Sequence, residues 1–165
     1  MSETSTNGQV ANNQQQAPTL LVNAQYLRDF SFENPRAPES LMNQAGPPEV
    51  KIELDVKARQ LNTELYESVV IAKIEAKQTQ QTAFVIEVEY AAVVTIQNAN
   101  QELVAALLLI ETPRLIFPYV RNIISDATRE GGFPPLMINP VDFAELHRRK
   151  TAEGQVIPAA NQPAN

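Results

Sequence analysis

The feature that most restricts the fold is a dense run of helix-ending and helix-starting residues at positions 131–143. The two glycines that open the run are suited to end a helix, because both can adopt positive φ. The Pro-Pro pair that follows favours an extended path, and the Asn-Pro-Val-Asp run at 139–142 supplies the cap and first turn of another helix. The run therefore predicts one helix ending near its start and a short second helix from Pro140 to about Arg148.

Alternation of apolar and charged residues identifies a strand at residues 50–57. This period of two is typical of a strand with one buried face and one solvent-facing face. Residues 20–32, 66–77 and 82–97 are further runs rich in β-branched and aromatic residues, and they are predicted as strands. The apolar positions of the alternating strand are Val50, Ile52, Leu54 and Val56.

The connections between these runs predict the topology of the sheet. A short polar turn at residues 78–81 joins the last two strands, so the second, third and fourth strands are expected to form an antiparallel meander. Residues 35–48 contain four prolines and are predicted as a long loop. The first strand must use this loop to reach the far side of the sheet.

Helical signals follow the last strand. Asn98 and Asn100 offer caps for a helix that begins near Gln101. Thr112-Pro113 reads as a new cap followed by proline, which predicts a break, and Pro118 predicts a kink. Beyond the break, apolar residues recur with helical spacing at Leu115, Ile116, Tyr119, Val120, Ile123, Ile124 and Ala127. Four strands followed by helices predict an α+β fold, with a four-stranded antiparallel sheet and a long broken helix and a short C-terminal helix on one face.

The length of 165 residues fits one domain. Residues 1–18 and 151–165 are polar and interrupted by glycine or proline, so we predict disordered tails at both ends. The ordered domain is expected to span residues 19–150.

Composition excludes several kinds of chemistry. The chain has no cysteine, which removes thiol nucleophiles, disulfides and thiolate metal sites. Its single histidine, His147, is predicted to lie at the surface near a helix C-terminus. Since no phosphate-binding glycine loop occurs either, we expect no metal, cofactor or nucleotide.

Charge and hydropathy restrict the partners and the compartment. The formal net charge of −6 disfavours nucleic acid and anionic membranes and favours basic segments. The N-terminal residues lack the pattern of a secretory signal. The longest uninterrupted apolar run, residues 103–110, is too short to cross a bilayer. These features predict a cytoplasmic protein that does not insert into membranes.

Glu87 and Glu89 lie on one face of the fourth predicted strand, with Glu53 and Asp55 on another strand. Paired carboxylates of this kind could serve glycoside hydrolysis. The strands alternate with apolar residues that point inward, however, so these carboxylates are expected on the solvent face, where they favour a basic partner. We therefore predict a binding protein and not an enzyme.

The long predicted helix has two interpretations. It packs against the sheet, or it also forms a subunit interface. The apolar residues at 107–110 cannot all face one sheet, which favours oligomerisation.

The sequence resembles the SecB family of bacterial protein-export chaperones. Residues 131–143 match a Gly-x-Phe-Pro-x-Leu-x-x-x-Pro-x-x-Phe signature, and the likeness extends over most of residues 20–147. Other matching segments are Tyr26-Leu27-Arg28-Asp29-Phe30-Ser31-Phe32-Glu33-Asn34-Pro35, Pro48-Glu49-Val50-Lys51-Ile52-Glu53-Leu54-Asp55, Thr82-Ala83-Phe84 with Glu87, and Phe117-Pro118-Tyr119-Val120-Arg121.

The resemblance implies an ATP-independent holdase that keeps precursor proteins unfolded in the cytoplasm and passes them to the SecA motor. It implies a homotetramer, a dimer of dimers, with helices between two eight-stranded sheets. The residues that match SecA-docking positions are Asp29, Glu33, Val85 and Glu87. The candidates for client binding are Val50, Ile52, Leu54, Phe143 and Leu146, each of which is equally suited to pack in the core.

A second function is compatible with the same fold. The chain could be a general chaperone, or one dedicated to a toxin-antitoxin pair, with no role in export. The matched acids Asp29, Glu33 and Glu87 favour the export function.

Overall fold

The computed structural model describes residues 16–42 and 46–154. One antiparallel sheet contains four long strands in the order β1-β4-β3-β2. The predicted strands are confirmed, with ends that differ by at most three residues. Their bounds are Thr19–Glu33 for β1, Glu49–Gln60 for β2, Leu65–Gln78 for β3 and Gln81–Gln97 for β4.

The predicted topology is confirmed as well. β2, β3 and β4 form the meander, and β1 pairs with β4 at one edge while β2 forms the opposite edge. The chain crosses between the edges through the proline-rich connection, which contains a short helix, α1 (Glu39–Met42). Residues 43–45 of this connection lie outside the described part. The β3–β4 turn is tight because Thr79 and Gln80 both adopt positive φ.

The helices follow the sheet in the chain. α2 (Gln101–Ala106) begins at Asn100, whose side-chain oxygen accepts a hydrogen bond of 2.8 Å from the Leu103 N–H. A π-helical turn (Leu107–Glu111) leads into α3 (Thr112–Glu130), and α4 (Phe143–Ala152) follows the connector. The α+β class with helices on one face of the sheet is confirmed.

The helix break predicted at Thr112-Pro113 is wrong. The π-helical turn carries the helix past Pro113, and the Thr112 hydroxyl donates to the Leu107 carbonyl at 2.8 Å. Pro113 has no N–H for the Leu108 carbonyl, which would be its partner in the π pattern. The Ser68 hydroxyl of β3 donates to that carbonyl instead, at 2.7 Å. A strand residue thus satisfies the acceptor that proline leaves open.

The core lies between the sheet and the long helix. Even-numbered residues in the central part of β3 and β4 point toward the helices and are buried. Apolar side chains of α3 pack against them and exclude water. The central residues of this layer are Ile74, Ile86, Val88, Val94, Ile116, Val120 and Ile124.

The glycine pair at the end of α3 has two different roles. Gly132 adopts the expected positive φ of 86°, whereas Gly131 has φ −74°, so the prediction of positive φ at both is wrong. Gly131 is needed for space, because a Cβ at this position would collide with the ring of Phe32 on β1. Its carbonyl accepts a hydrogen bond of 3.1 Å from the Asn34 side chain. The helix end is therefore fixed against the end of β1.

α4 begins three residues later than predicted. Asp142 is the N-cap, and its carboxylate accepts from the Glu145 N–H at 3.0 Å. Pro140 lies in the extended connector. The helix continues to Ala152, two residues beyond the predicted domain end. Residues 1–15 and 155–165 lie outside the described residues, so the disordered tails stay a prediction.

The helix over Gln101–Glu130 is long and apolar enough, by length and composition, to cross a membrane. The expectation from residues 103–110 missed this, because it counted only an uninterrupted apolar run. Core helices of soluble proteins pass the same test, and this helix packs on the sheet through its buried residues.

Candidate binding surfaces

The face of the sheet that points away from the helices, here called the outer face, brings the predicted docking residues together. In the pairing of β1 with β4, Asp29 lies opposite Glu89, Ser31 opposite Glu87, and Glu33 opposite Val85. Asp29, Glu33 and Glu87 are exposed, and Val85 is half-buried. Residues that are far apart in sequence thus form one acidic cluster, defined as Asp29, Glu33, Glu87 and Glu89.

A β-bulge shapes this cluster. The register of β1 shifts between Leu27 and Asp29, so Arg28 is an extra residue in the strand. Its guanidinium lies 3.5 Å from Glu89 and 3.5 Å from Glu67 on β3. Ion pairs among the described residues engage Glu89 in this way but not Asp29, which leaves the Asp29 carboxylate available to a partner.

Glu67 is the buried centre of a polar network on the outer face that the sequence analysis missed. It is 2 % exposed. Its carboxylate accepts hydrogen bonds from the Tyr26 hydroxyl of β1 and from Arg59 Nε of β2, the latter at 2.5 Å. Tyr26 reaches across β4 because its cross-strand neighbour is the small residue Ala91. The one sequence signal is a lone carboxylate within a β-branched run.

Hydrogen bonds set the pKa values in this network. The Arg59 hydrogen bond lowers the pKa of Glu67, against the opposing effect of burial. The hydrogen bond to Glu67 raises the pKa of Tyr26. Both shifts keep Glu67 ionised and Tyr26 protonated near neutral pH.

The half of the outer face formed by β2 and β3 is electrically balanced. Lys51 lies 2.7 Å from Glu53, and Lys77 lies 3.4 Å from Glu75. The hydrogen bond from Lys51 lowers the pKa of Glu53, which is fully exposed. Because each of these carboxylates has a lysine beside it, the β2–β3 half attracts a basic segment less than the acidic cluster does.

Glu87 and Glu89, the candidates for acid-base chemistry, are both ion-paired in the structure. Both lie on the outer face, as the alternation predicted, and each has a cation within reach. Lys73 lies 3.6 Å from Glu87, and Arg28 lies 3.5 Å from Glu89. Ion-paired carboxylates on an open sheet favour electrostatic docking. Among the described residues, no group of three His, Asp or Glu side chains is placed to hold a metal.

The opposite face of β2, together with α4, forms the second surface, here called the apolar groove. Val50, Ile52 and Leu54 point to the helix side, as predicted. Ile52 remains 38 % exposed, and the other two are half-buried, because β2 is an edge strand that the helices cover incompletely. Apolar side chains beside a free strand edge can receive an extended apolar segment.

α4 lies beside the part of β2 that contains Asp55 and Val56. Phe143 is 1 % exposed and packs edge-to-face on Phe117, with ring centroids 5.4 Å apart, so it is a core residue. Leu146 is half-buried and lines a small cavity with Val56 and Leu109. Lys150 reaches around the edge of the sheet and forms an ion pair with Asp55 on β2.

His147 differs from its prediction. It lies in the middle of α4, not near its end, and it is half-buried with its Nδ1 atom out of contact with solvent. The prediction ended the helix near Arg148, whereas α4 continues to Ala152.

A third surface consists of exposed apolar side chains. The predicted helical stripe divides in two: Ile116 and Val120 are buried, whereas Leu115 is 53 % and Tyr119 is 48 % exposed. Tyr119 stacks on Tyr90 with ring centroids 5.8 Å apart. Residues 107–110, which suggested an interface, are covered at least in part by the sheet and α4. The edge strand β1 adds Leu27 and Phe30 on the helix side, which are 46 and 40 % exposed. Leu21 of the same strand is 63 % exposed but lies on the outer face.

Comparison with known proteins agrees with this architecture. A sequence model of the family described as preprotein translocase subunit SecB matches residues 13–154. The chain is 47 % identical over 152 residues to the protein-export protein SecB of Rhodospirillum centenum, with 90 % of each chain covered. It is 44 % identical over 144 residues to that of Bartonella quintana, covering 87 % of this chain and 91 % of the relative.

A solved structure shares the fold. A SecB-like chaperone of Mycobacterium tuberculosis, in complex with a peptide from an antitoxin, superposes with a TM-score of 0.57 at 19 % identity. The match covers 74 % of this chain and 90 % of that one. The likeness to this structure concerns the fold alone, whereas the family match and the two relatives cover nearly the whole sequence, so the chain belongs to the SecB family.

Proposed function

We propose that this chain is an ATP-independent holdase chaperone of the protein-export pathway, which binds unfolded precursor proteins and keeps them competent for translocation. The observation that carries the proposal is the SecB match over residues 13–154, supported by relatives at about 45 % identity that are named protein-export proteins. The chaperone acts by binding and release, without a catalytic step. Its place of action is the cytoplasm.

Clients bind along the apolar groove. An unfolded chain presents apolar side chains and unpaired backbone groups, and β2 offers both kinds of partner at a free sheet edge. The half-buried Val50 and Leu54 and the more exposed Ile52 supply apolar contact. Leu146 borders the same surface, while Phe143 supports it from within the core.

The SecA motor docks on the outer face through a basic segment. The acidic cluster supplies the charge, with Asp29 and Glu33 on β1 and Glu87 on β4, and Val85 supplies an apolar contact beside them. The charge complementarity steers the encounter and makes binding sensitive to salt. Because client and motor use opposite faces of one sheet, both can be bound at once.

The assembly is a homotetramer, a dimer of dimers. The exposed Leu115 and Tyr119 on α3 offer one self-complementary interface, and the long unpaired edge of β1 offers another. Burial of apolar surface contributes about 25 cal/mol per Å². This gain in free energy offsets the electrostatic repulsion between four acidic subunits.

The alternative of a chaperone dedicated to a toxin-antitoxin pair is not favoured. The solved SecB-like neighbour binds an antitoxin peptide, but it shares only 19 % identity with this chain. The export-named relatives are far more similar.

Two assays test the function. A denatured precursor is diluted into buffer with the purified protein and no ATP, and its aggregation is followed by light scattering. The protein should delay aggregation and, after SecA, ATP and inverted membrane vesicles are added, raise translocation of the precursor. A protein that delays aggregation but does not raise SecA-dependent translocation contradicts the export role and favours the dedicated chaperone.

A further inference from the structure

Lys73 occupies the boundary between the acidic and the balanced halves of the outer face. It lies on β3, opposite Glu87 of β4 on one side and opposite Glu53 of β2 on the other. Its ammonium group is 3.6 Å from the Glu87 carboxylate. The Lys73 and Glu87 side chains are 56 and 48 % exposed, so the pair is in contact with water.

Glu53 does not hold the Lys73 ammonium as closely. The Glu53 carboxylate has its own cation, Lys51, at 2.7 Å. The Lys73 ammonium therefore pairs with Glu87 and partly neutralises the charge of its carboxylate. Among the ion pairs of the described residues, the acids of β1, Asp29 and Glu33, have no such cation, although they belong to the same cluster.

Exposed ion pairs of this kind are weak and exchange readily with a partner's charges. An arriving cation that binds Glu87 lies close to the Lys73 ammonium, which is 3.6 Å from the same carboxylate. Like charges at such a distance oppose binding. The intramolecular pair thus competes with the docking of any basic segment.

We propose that Lys73 weakens the docking of basic segments by pairing with Glu87, so that Asp29 and Glu33 provide the initial attraction. The inference rests on the proposed docking of a basic partner at the outer face. It adds an internal competitor that keeps the interaction reversible, which suits a chaperone that must separate from the motor after delivery.

The experiment compares Lys73→Gln with Lys77→Gln. Both variants remove one positive charge from the same face of the same strand, but Lys77 pairs with Glu75 and not with a member of the acidic cluster. The probe is a short fluorescent peptide of lysine and glycine, and its dissociation constant is measured by anisotropy at low salt. Lys73→Gln should tighten binding by about three- to tenfold relative to Lys77→Gln. Lys73→Arg, which keeps the charge, should bind like the wild type.

A double-mutant cycle identifies the route of the effect. In a Glu87→Gln background, Lys73→Gln should give no more than the change caused by Lys77→Gln, since its partner is gone. Increasing salt should also reduce the difference between the two lysine variants. Thermal unfolding of all variants shows whether the fold is unchanged, which separates docking from a merely structural effect.

The outcomes are distinct. Equal affinity of Lys73→Gln and Lys77→Gln, weaker binding by Lys73→Gln, or no binding of the peptide by any variant overturns the inference. If the wild-type protein binds SecA but the two lysine variants bind the peptide equally well, only the inference is wrong. If SecA is not captured but the peptide series behaves as expected, the proposed motor partner is wrong and the role of Lys73 stands.

Discussion

The Tyr26 hydroxyl donates a hydrogen bond to the buried carboxylate of Glu67, two strands away across β4. Arg59 on β2 donates to the same carboxylate, so side chains from both edge strands converge on Glu67 at the outer face. Backbone ladders connect only adjacent strands. This network adds a connection across the width of the sheet, and its strength can be measured.

Replacing Glu67 by Gln should destabilise the fold. The substitution keeps the shape but removes the charge that Arg59 and Arg28 share, and charge-assisted hydrogen bonds to a buried carboxylate contribute about 1.5–3 kcal/mol each at most. We expect a loss of about 1–3 kcal/mol in the free energy of unfolding, measured by urea denaturation. Glu75→Gln on the same face is the control and should change it by less than about 0.5 kcal/mol. Equal effects of the two variants would contradict the role of the network.

The same carboxylate predicts a pH dependence. Its pKa is lowered in the folded state from the ordinary value of 4.5, chiefly by the Arg59 hydrogen bond. Between the folded and the unfolded pKa, the unfolded chain binds more protons, so stability falls as pH falls. The stability difference between wild type and Glu67→Gln should be constant above pH 4.5 and shrink below it. A difference that grows on acidification has the wrong sign for this explanation.

Charge reversal at Asp29 and Glu87 should weaken binding of SecA. Lysines at these positions face the basic segment directly, and like-charge contact lowers affinity by about tenfold or more. Surface plasmon resonance with immobilised SecA measures the change, and a holdase assay should show client binding unchanged. Glu64→Lys with Glu153→Lys, both exposed and outside the acidic cluster, controls for net charge. If both double variants lose the same affinity, the docking position is wrong.

Truncation of Ile52 to alanine should weaken client binding with little effect on the fold. Ile52 is 38 % exposed, so the loss of stability should fall below the roughly 2–5 kcal/mol typical of buried positions. Affinity for a fluorescent unfolded precursor is the measurement. Leu61→Ala, at a position 41 % exposed in the β2–β3 connection, is the matched control. Client binding that is reduced only by Leu61→Ala would place the groove elsewhere.

Lysine at Leu115 should dissociate the tetramer into smaller species. The side chain is 53 % exposed in one chain, and the proposed interface would bury it without a partner for the new charge. Light scattering coupled to size exclusion gives the mass. Met137→Lys changes another exposed apolar residue, 67 % exposed, and should leave the mass unchanged. A wild-type monomer at micromolar concentration would contradict the assembly itself.

Local patterns were sufficient to predict the strands and their order. The alternation at residues 50–57 and the tight turn at Thr79-Gln80 are properties of a few neighbouring residues, and so is the cap at Asn100. The continuous helix could not be predicted in this way. Its passage past Pro113 depends on the Ser68 hydroxyl, which is distant in sequence and becomes a neighbour only after folding.

The same distinction holds for the candidate surfaces, where local features were predicted and contacts between distant residues were missed. Alternation correctly placed Glu87 and Glu89 on the solvent side, but their cations lie on neighbouring strands whose register no local pattern specifies. The Glu67 network was missed because its members come from three strands. The steric role of Gly131 depends on the ring of Phe32, which the helix end meets only in the folded sheet.

The alternation along β2 restricts which insertions and deletions this strand can accept. Ile52 and Glu53 are adjacent in the chain but serve opposite faces, one apolar and one charged. Deleting one residue from the strand would exchange the two faces beyond the deletion, turning carboxylates toward the helix side and apolar side chains toward the outer face. Removing two residues preserves the parity of the strand. Length variation within β2 should therefore be tolerated only in even steps.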